Sequence, residues 1–518
     1  MISRTAHGRR RRGAIGAVGA LVLASAMGAM TVAPASADEL PEASASASAS
    51  KTAADLAMTP ELAARIQTLV NDFSSNRDNT GVSVAVVTPD PGKPGAVTTT
   101  FTAGLADRDP SISVDTSTQF ELGSESKAFT ADLLASLVAA GRVSLDDSIA
   151  QYAPSWVTLP APGGTSGTGT WADITLGDLA THQSGLPRLP SNLPNGCDPT
   201  PTVDRPCQGY TQTELWEAVQ GQTPIWTPGT HWLYSNFGFG LLGTILANVV
   251  QSVPESDPPA YQSALDGAFL DELGMKSTEL EPADAETDAR IAVPYAGPSP
   301  TFYWHNTNAV AGGGGLVSDA KDMGTWVAAH LGYLPDVPAS TALKSTLDLA
   351  SPVEFECNPA TDAAPAAGDD PASGYDCQPV TDGSFSMGLG WQLYTAASNG
   401  LGAPSAFKDG GTGGSSSDTL LMPTLGVGVT SMFNRERENQ EQITRPVMEL
   451  VLNHRAAPLP DPTPRPDAAA LAATGTDLAG PGLAAPVAAA LAFLLAGAVL
   501  FSRRNAIRRR PGPGPGSR

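Results

Sequence analysis

Residues 123–141 read GSESKAFTADLLASLVAAG, and this stretch determines where the rest of the chain must converge. It predicts a helix from Ser124 to Ala140, which Gly141 ends. Residues three apart lie on one face of a helix, so the side chains of Ser124 and Lys127 can meet. The stretch therefore predicts a hydroxyl and an amine side by side near the start of a helix.

This serine and lysine have the properties of a nucleophile and its base. A serine hydroxyl is a weak nucleophile and needs a nearby base. A lysine can be that base if burial lowers its pKa toward neutrality. The helix N-terminus adds main-chain N–H groups that favour a developing oxyanion. Serine is also a common helix cap and Ser-x-x-Lys often occurs by chance, so the motif alone leaves a structural role open.

A second motif, Tyr234-Ser235-Asn236, follows the turn signal Trp-Thr-Pro-Gly at 226–229. A tyrosine beside a lysine can shuttle protons, because the positive charge lowers the pKa of the phenol. An asparagine offers both a donor and an acceptor to an amide substrate. The alternative is that Tyr234 belongs to the core and Asn236 caps the next helix.

A third motif, Lys408-Asp409-Gly410-Gly411, precedes a predicted strand. A lysine there can place its ammonium against a substrate carboxylate. Gly411 allows close approach of the main chain, so its N–H is a candidate second donor to an oxyanion. The alternative is a solvated hairpin turn.

The segments around these motifs predict one antiparallel sheet that both ends of the chain build. Strand patterns flank a middle part that is mostly helical, and this order predicts an α/β (α+β) fold with helices on the sheet and an inserted, mostly helical domain. The predicted elements are a helix at 61–73, strands at 82–87 and 97–104 joined as a hairpin, helices and loops at 145–332, strands at 388–395, 419–422 and 427–433, and a helix at about 440–454.

Together, the order and spacing of the three motifs resemble those of the class C β-lactamases and the related D-alanyl-D-alanine carboxypeptidases and endopeptidases. GSESKAFTA resembles their nucleophile motif, Tyr-Ser-Asn their Tyr-x-Asn motif, and KDGGTGGSSS their Lys-Thr-Gly or His-x-Gly strand. Three connecting segments are also similar: DITLGDLATHQSGLP (173–187), AVAGGGGLVSDAKDMGTWVAAHL (309–331) and MGLGWQL (387–393). The resemblance covers about residues 60–455.

The resemblance implies a β-lactamase/transpeptidase-like fold with the site between a sheet domain and a helical domain. It implies an exported serine hydrolase whose acyl-enzyme is released by water, without a metal or an organic cofactor. The expected substrate is a D-amino-acid-containing peptide of peptidoglycan, or a β-lactam. The expected catalytic residues are Ser124, Lys127 and Tyr234, and the expected substrate-binding residues are Asn236, Lys408, Gly410 and Gly411.

Asp409 departs from the family pattern, which usually has a neutral residue at this position. A carboxylate beside the docking place of a substrate carboxylate costs affinity unless it points away or is paired. A small-ester esterase on the same fold is therefore an alternative to a peptidoglycan or β-lactam hydrolase. A non-catalytic cell-wall-binding relative is another alternative, and the intact motifs argue against it.

The first 59 residues have the pattern of an export signal and a stalk. Four arginines at 9–12 precede an apolar run, and Ala35-Ser36-Ala37 matches a cleavage signal, so residues 1–37 predict a signal peptide. A transmembrane anchor is the alternative. Residues 38–59 contain ASASASAS and predict a flexible stalk.

The C-terminal residues predict a second localisation signal. After the hydrolase domain at 60–455, the proline-rich stretch 456–470 predicts a stiff linker. In the segment 471–518, Leu-Ala-Ala-Thr-Gly at 471–475 resembles a sortase signal, the apolar run 483–501 predicts a transmembrane helix, and arginines form a basic tail. This resemblance implies attachment to the cell wall by sortase, and a plain single-span anchor is the alternative. Both predict a cell-surface location.

Charge and cysteines set two further limits. The chain has 30 basic and 52 acidic residues, for a net charge of −22, and a field this negative repels phosphates, so no nucleic-acid partner is expected. The four cysteines predict disulfides. An even number of closely spaced cysteines in an exported protein predicts the disulfides Cys197–Cys207 and Cys357–Cys377, each holding a surface loop. Zinc ligation is disfavoured because there is no Cys-x-x-Cys pair.

Overall fold

A computed structural model provides the secondary structure. It describes residues 51–159, 170–193, 209–251, 260–280, 290–301, 303–304, 308–359, 375–380, 385–436, 438 and 441–453. Within these ranges the strands are β1 (Val82–Pro89), β2 (Ala96–Ala103), β3 (Leu105–Arg108), β4 (Ser111–Ser113), β5 (Phe120–Glu121), β6 (Trp232–Leu233), β7 (Tyr295–Ala296), β8 (Ser299–Pro300), β9 (Val317–Ser318), β10 (Ser351–Pro352), β11 (Phe355–Pro359), β12 (Tyr375–Pro379), β13 (Phe385–Met387), β14 (Gln392–Tyr394), β15 (Ser405–Gly411), β16 (Ser416–Met422) and β17 (Val427–Phe433).

The helices of the described ranges are α1 (Ala53–Leu56), α2 (Pro60–Ser75), α3 (Ser126–Ala139), α4 (Leu176–Ala180), α5 (Gln212–Gly221), α6 (Asn236–Gln251), α7 (Tyr261–Leu265), α8 (Asp271–Leu273), α9 (Ala320–His330), α10 (Pro338–Ser345), α11 (Ala396–Asn399) and α12 (Thr444–Asn453). Short 3-10 turns lie at Gly123–Glu125, Ile149–Gln151, Trp171–Asp173 and Ala311–Gly313, and a π-helical turn at Asp266–Leu270.

An eight-stranded antiparallel sheet forms the framework, in the order β10-β13-β14-β15-β16-β17-β1-β2. The hairpin β1–β2 comes from the N-terminal part of the chain and joins the C-terminal strands where β1 pairs with β17. The middle of the chain contributes α3 to α10 and only short strands. This confirms the predicted fold class of a sheet built from both chain ends, with helices around it and a mostly helical insertion.

Helices cover both faces of the sheet, and the alternation of side chains along β1 shows why. Val84 and Val86 pack with the apolar residues of α2 and α12 on one face. Ala85 and Val87 point the other way and pack with the apolar residues of α3 and α9. Helix α3, which follows the turn of Ser124 and carries Lys127 near its start, therefore lies inside the molecule on this face of the sheet.

Two predicted strand positions differ from the structure. The predicted strand at 388–395 is a turn that leads into β14, because Gly390 has a φ of +76° and its N–H bonds to Ala180 O at 2.9 Å. Lys408 to Gly411 do not precede a strand but form the end of β15. The glycines of this motif serve the predicted close approach of the main chain, and the alternative of a solvated hairpin turn is wrong.

A cross-linked ribbon lies beside the second motif. Strands β11 and β12 pair with Cys357 directly opposite Cys377, and these two residues form the predicted disulfide. Strand β11 also pairs in parallel with β6, which immediately precedes Tyr234. The disulfide thus links two strands rather than closing a loop alone. Cys197 and Cys207 lie outside the described residues.

The predicted targeting segments 1–37, 456–470 and 471–518 lie outside the described residues, so they remain predictions. Folded structure starts within the predicted stalk, because Thr52 caps α1 and Leu56 is buried. Among the described residues, no helix has the length and apolar character needed to cross a bilayer.

Candidate active site

Ser124 stands in the 3-10 turn Gly123–Glu125, immediately before α3, rather than in the helix itself. The turn is forced by contact with β15: Gly123 has a φ of +50°, and a Cβ there would lie 2.5 Å from Gly411 N. Only 3% of Ser124 is exposed. The predicted nucleophile is therefore held in a rigid turn between the sheet and the helical part.

Lys127 lies next to Ser124, as the spacing predicted. Its Nζ is 3.1 Å from Ser124 Oγ and donates a hydrogen bond to the carbonyl oxygen of Gly313. Burial lowers the pKa of Lys127 well below its ordinary value, and the positive charges of Lys408 and Arg188 lower it further. A neutral amine can hold Gly313 with one N–H and present its lone pair to the serine proton.

Tyr234 is the third group of this cluster. Its ring centre lies 4.8 Å from Lys127 Nζ, 5.9 Å from Lys408 Nζ and 5.1 Å from Arg188 Cζ. Ser124 is close enough to lower the pKa of the phenol, although among the described residues the hydroxyl has no partner with full hydrogen-bond geometry.

Burial raises the pKa of Tyr234 above its ordinary value. The positive charges of Lys408 and Arg188 lower this pKa, as the sequence analysis expected of a nearby cation, and so does Ser124, but together they do not offset the burial. The phenol therefore stays protonated near neutral pH. It can donate a proton or relay one, while the neutral amine of Lys127 is the stronger candidate for the base.

His182 and Ser235 fix the position of this tyrosine. The N–H of Ser235 donates to His182 Nδ1 at 3.0 Å, and the His182 ring lies 4.6 Å from the Tyr234 ring. Ser235 Oγ donates to Pro187 O and accepts the N–H of Gly238, which caps the start of α6. The segment that contains His182 thus supports Tyr234 from behind.

Asn236, the third residue of the second motif, begins α6 and is half-buried. Its N–H donates to Arg188 O at 2.9 Å. Its main chain also packs on Gly313, where a Cβ would lie 3.2 Å from Asn236 O. Since Gly313 accepts the hydrogen bond of Lys127, the structure brings the second motif to the same place as the first.

Lys408 and Asp409, both buried, are paired with each other at the end of β15. Lys408 Nζ lies 3.3 Å from Asp409 Oδ1 and also donates to the carbonyl oxygen of Asp409. Of the two conditions under which Asp409 is tolerated, pointing away or being paired, the structure shows the second. The ammonium that was expected to meet a substrate carboxylate already has a carboxylate beside it.

Gly410 and Gly411 bring the edge of the sheet against the serine turn. A Cβ on Gly410 would lie 1.9 Å from Leu122 O and 2.9 Å from Ser124 N. Any side chain at Gly410 would therefore push the strand away from the turn. Gly410 sets the distance between the two main chains, while the N–H of Gly411 is close enough to the turn to act together with that of Ser124.

Sequence reasoning missed several charged residues at this site. Arg188 directly follows the similar segment 173–187, and its position next to that segment was the available signal. Glu125 lies between the motif residues Ser124 and Ser126, and burial raises its pKa to about 7. Asp418 faces Asp409 across β15 and β16, and burial raises its pKa well above the ordinary value.

Known proteins are similar to this chain in sequence. The family model described as Beta-lactamase matches residues 66–453. The D-alanyl-D-alanine-carboxypeptidase/endopeptidase AmpH of Escherichia coli is 32% identical over 40% of this chain, and the match spans 48% of that relative, about half its length. A beta-lactamase of Pseudomonas fluorescens is 27% identical over 73% of this chain and 95% of its own length.

The fold is similar to that of solved structures. A Beta-Lactamase/D-Alanine Carboxypeptidase from Pseudomonas syringae superposes with a TM-score of 0.55 over 77% of this chain and 99% of that protein, at 22% identity. The likeness confirms the expected fold, and at this identity it shows the fold alone. The predicted site residues converge on one buried serine in the arrangement described above.

Proposed function

This chain belongs to the beta-lactamase family, and we propose that it is a serine hydrolase that forms an acyl-enzyme at Ser124. The observation that carries the proposal is the 3.1 Å distance between Ser124 Oγ and Lys127 Nζ, in a place where burial lowers the pKa of the amine. A hydroxyl with a neutral amine in hydrogen-bond reach is an activated nucleophile.

In the acylation step, Lys127 accepts the proton of Ser124 while Oγ bonds to the carbonyl carbon of the substrate. The carbonyl oxygen gains a negative charge, which we expect the N–H groups of Ser124 and Gly411 to stabilise, since β15 and the serine turn are in close contact at these residues. Collapse of this tetrahedral intermediate breaks the bond to the leaving group. The leaving nitrogen or oxygen takes the proton that Lys127 had accepted, relayed by the protonated phenol of Tyr234.

Deacylation repeats these steps with water as the nucleophile. Water gives one proton to Lys127, directly or through the phenol of Tyr234, and adds to the acyl carbon, and the bond from that carbon to Ser124 Oγ then breaks. The proton returns to Ser124, and the product leaves as a carboxylic acid. No atom of the enzyme is changed over the cycle.

The names of the relatives support a substrate class. One is a D-alanyl-D-alanine-carboxypeptidase/endopeptidase and another a beta-lactamase, so we extend the proposal to peptidoglycan peptides or β-lactams as acyl donors. The patterns of residues 1–37 and 471–518 support the further proposal of an exported enzyme held at the cell surface.

Intact-mass analysis of the protein after exposure to penicillins, D-Ala-D-Ala peptides and p-nitrophenyl esters tests the proposal. We expect at least one donor to add an acyl mass to Ser124, and Ser124→Ala to abolish it. Ser136→Ala is the matched control, since its hydroxyl lies on α3, the helix that follows the turn of Ser124, and has no hydrogen-bond partner among the described residues. An adduct that persists in Ser124→Ala, or no adduct with any donor, contradicts the proposal.

A further inference from the structure

We propose that Asp409 makes this site selective for acyl donors whose leaving group carries no carboxylate next to the scissile bond. Such donors are esters and amides within a chain or with a blocked end, as opposed to a free C-terminal D-alanine. The inference rests on the proposed function, because it concerns the leaving-group side of the same site.

Among the described residues, no strand pairs with the end of β15 on the side of β14. Strand β14 pairs with β15 through Ser405, Ala406 and Phe407, and the register ends there. Lys408 to Gly411 continue past that point, and Gly410 touches the turn of Ser124. Lys408 and Gly410 are two residues apart on the strand, about 7 Å, so Lys408 is within reach of a group one or two bonds from the scissile bond.

The ammonium at this edge is already neutralised. Lys408 Nζ reaches both the side-chain oxygen and the carbonyl oxygen of Asp409, and both side chains are buried. A substrate carboxylate that binds to the ammonium of Lys408 would lie close to the carboxylate of Asp409, which already binds that ammonium. Like charges that close disfavour each other strongly where water is excluded.

The other acids near Asp409 have hydrogen-bond partners of their own. Glu125 accepts a hydrogen bond from Thr419 Oγ1, and Asp418 accepts one from Thr444 Oγ1. Burial raises the pKa of both carboxyl groups, and the charge of Asp409 raises both further. Among the described residues, the carboxylate that pairs with Lys408 Nζ is that of Asp409, at 3.3 Å.

A matched pair of donors tests the inference. One is an N-acyl-D-Ala-D-Ala peptide with a free carboxylate, and the other is the same peptide with a C-terminal amide. We expect the wild type to have a kcat/KM for the amide that is about tenfold or more above that for the carboxylate. We expect Asp409→Asn to shift this ratio toward the carboxylate donor by about tenfold, because it keeps the side-chain shape and removes the charge.

Asp418→Asn is the matched control. It makes the same chemical change at the residue opposite Asp409, where burial already favours the uncharged acid, so the donor ratio should stay within twofold of the wild type. The wild-type ratio is informative even if Asp409→Asn fails to fold. A wild type that turns over the carboxylate donor as well as the amide, or an unchanged ratio in Asp409→Asn, overturns this inference alone. Absence of any Ser124 adduct with both donors and with esters overturns the proposed function and this inference together.

Discussion

Gly410 lies against Leu122 so closely that a Cβ on the glycine would be 1.9 Å from the leucine carbonyl oxygen. The contact joins the edge of the sheet to the turn that carries the nucleophile. The spacing between Ser124 and the N–H of Gly411 therefore depends on the absence of a side chain at residue 410.

Gly410→Ala is expected to separate the strand from the turn and to lower the rate of Ser124 acylation by about 10²-fold, the effect of a misplacement of about 1 Å. Stopped-flow acylation with a chromogenic donor measures the rate. Gly267→Ala is the control, because a Cβ at Gly267 meets nothing within 4 Å, and its rate should match the wild type. A Gly410→Ala enzyme that acylates at the wild-type rate would show that this contact does not set the site.

Replacement of Lys127 separates catalysis from stability. Lys127→Met is expected to slow acylation by about 10²- to 10⁴-fold, because the base is lost. It is also expected to raise the melting temperature, because a buried amine whose pKa is lowered disfavours the folded state at neutral pH. A variant that melts below the wild type would contradict the second expectation.

The pH profile of the wild type gives an independent measure of Lys127. The neutral amine is the active form, so acylation should rise with pH through the lowered pKa of Lys127 and then reach a plateau below pH 10. Lys127→Arg should lose this rise, since arginine keeps its proton throughout. A rise that persists in Lys127→Arg would assign the titration to another group.

Glu121 is predicted to make the stability of the fold depend on pH. It is buried in β5 and accepts hydrogen bonds from Trp304 N–H at 2.6 Å and Thr412 Oγ1 at 2.8 Å, and burial raises its pKa from 4.5 to about 7. A pKa raised on folding means that the folded state binds the proton more tightly. The contribution of Glu121 to stability is therefore fully present below pH 4.5 and is lost as the pH rises to about 7.

Glu121→Gln should accordingly have little effect on the urea midpoint at pH 5 and raise it at pH 8. The expected gain in the free energy of unfolding at pH 8 is up to roughly 3 kcal/mol, which follows from the rise of the pKa from 4.5 to about 7. Glutamine retains an oxygen acceptor for one of the two donors. A variant that is less stable than the wild type at pH 8 would show that Glu121 is ionised in the folded state without cost.

A buried polar cluster behind α3 is predicted to stabilise the helix of the nucleophile. Asp132 accepts a hydrogen bond from Trp326 Nε1 at 2.7 Å and pairs with His330 Nε2 at 3.0 Å. Asp132→Ala leaves both partners buried without an acceptor, so we expect a loss of about 3–5 kcal/mol in the free energy of unfolding. Asp146→Ala, at an exposed position, should change it by less than about 0.5 kcal/mol.

Urea unfolding followed by tryptophan fluorescence measures both aspartate variants. Asp132→Asn should lose less than Asp132→Ala, because it retains one oxygen acceptor. If Asp132→Ala is as stable as Asp146→Ala, the cluster has no stabilising role.

The strands of the sheet and the position of the nucleophile could be predicted from the sequence, because both depend on patterns of neighbouring residues. The stretch 427–433 contains Val, Thr and Phe, which are common in strands, and the structure confirms it as the buried strand β17. The spacing of Ser124 and Lys127 is equally local, because residues three apart meet on any helical turn. These features need no knowledge of distant contacts.

Other features depend on contacts that no local pattern contains. Gly410 is a glycine because Leu122, far away in the chain, leaves no room for a Cβ, and the same glycine in isolation indicates a turn. The pairing of Asp409 with Lys408 and the raised pKa of Tyr234 follow from burial that only the assembled site defines. Arg188 was missed because its approach to Tyr234 depends on how the 182–193 loop folds over α6.

The pairing of β1 with β17 places Val82 beside Phe433. During synthesis on the ribosome, the first hairpin therefore emerges long before the strand that must lie next to it. Strand β1 can pair with β17 only after nearly the whole domain has been synthesised, and the closure of such a long loop is slow. A chain with this strand order can complete its main sheet only when its last strand is available.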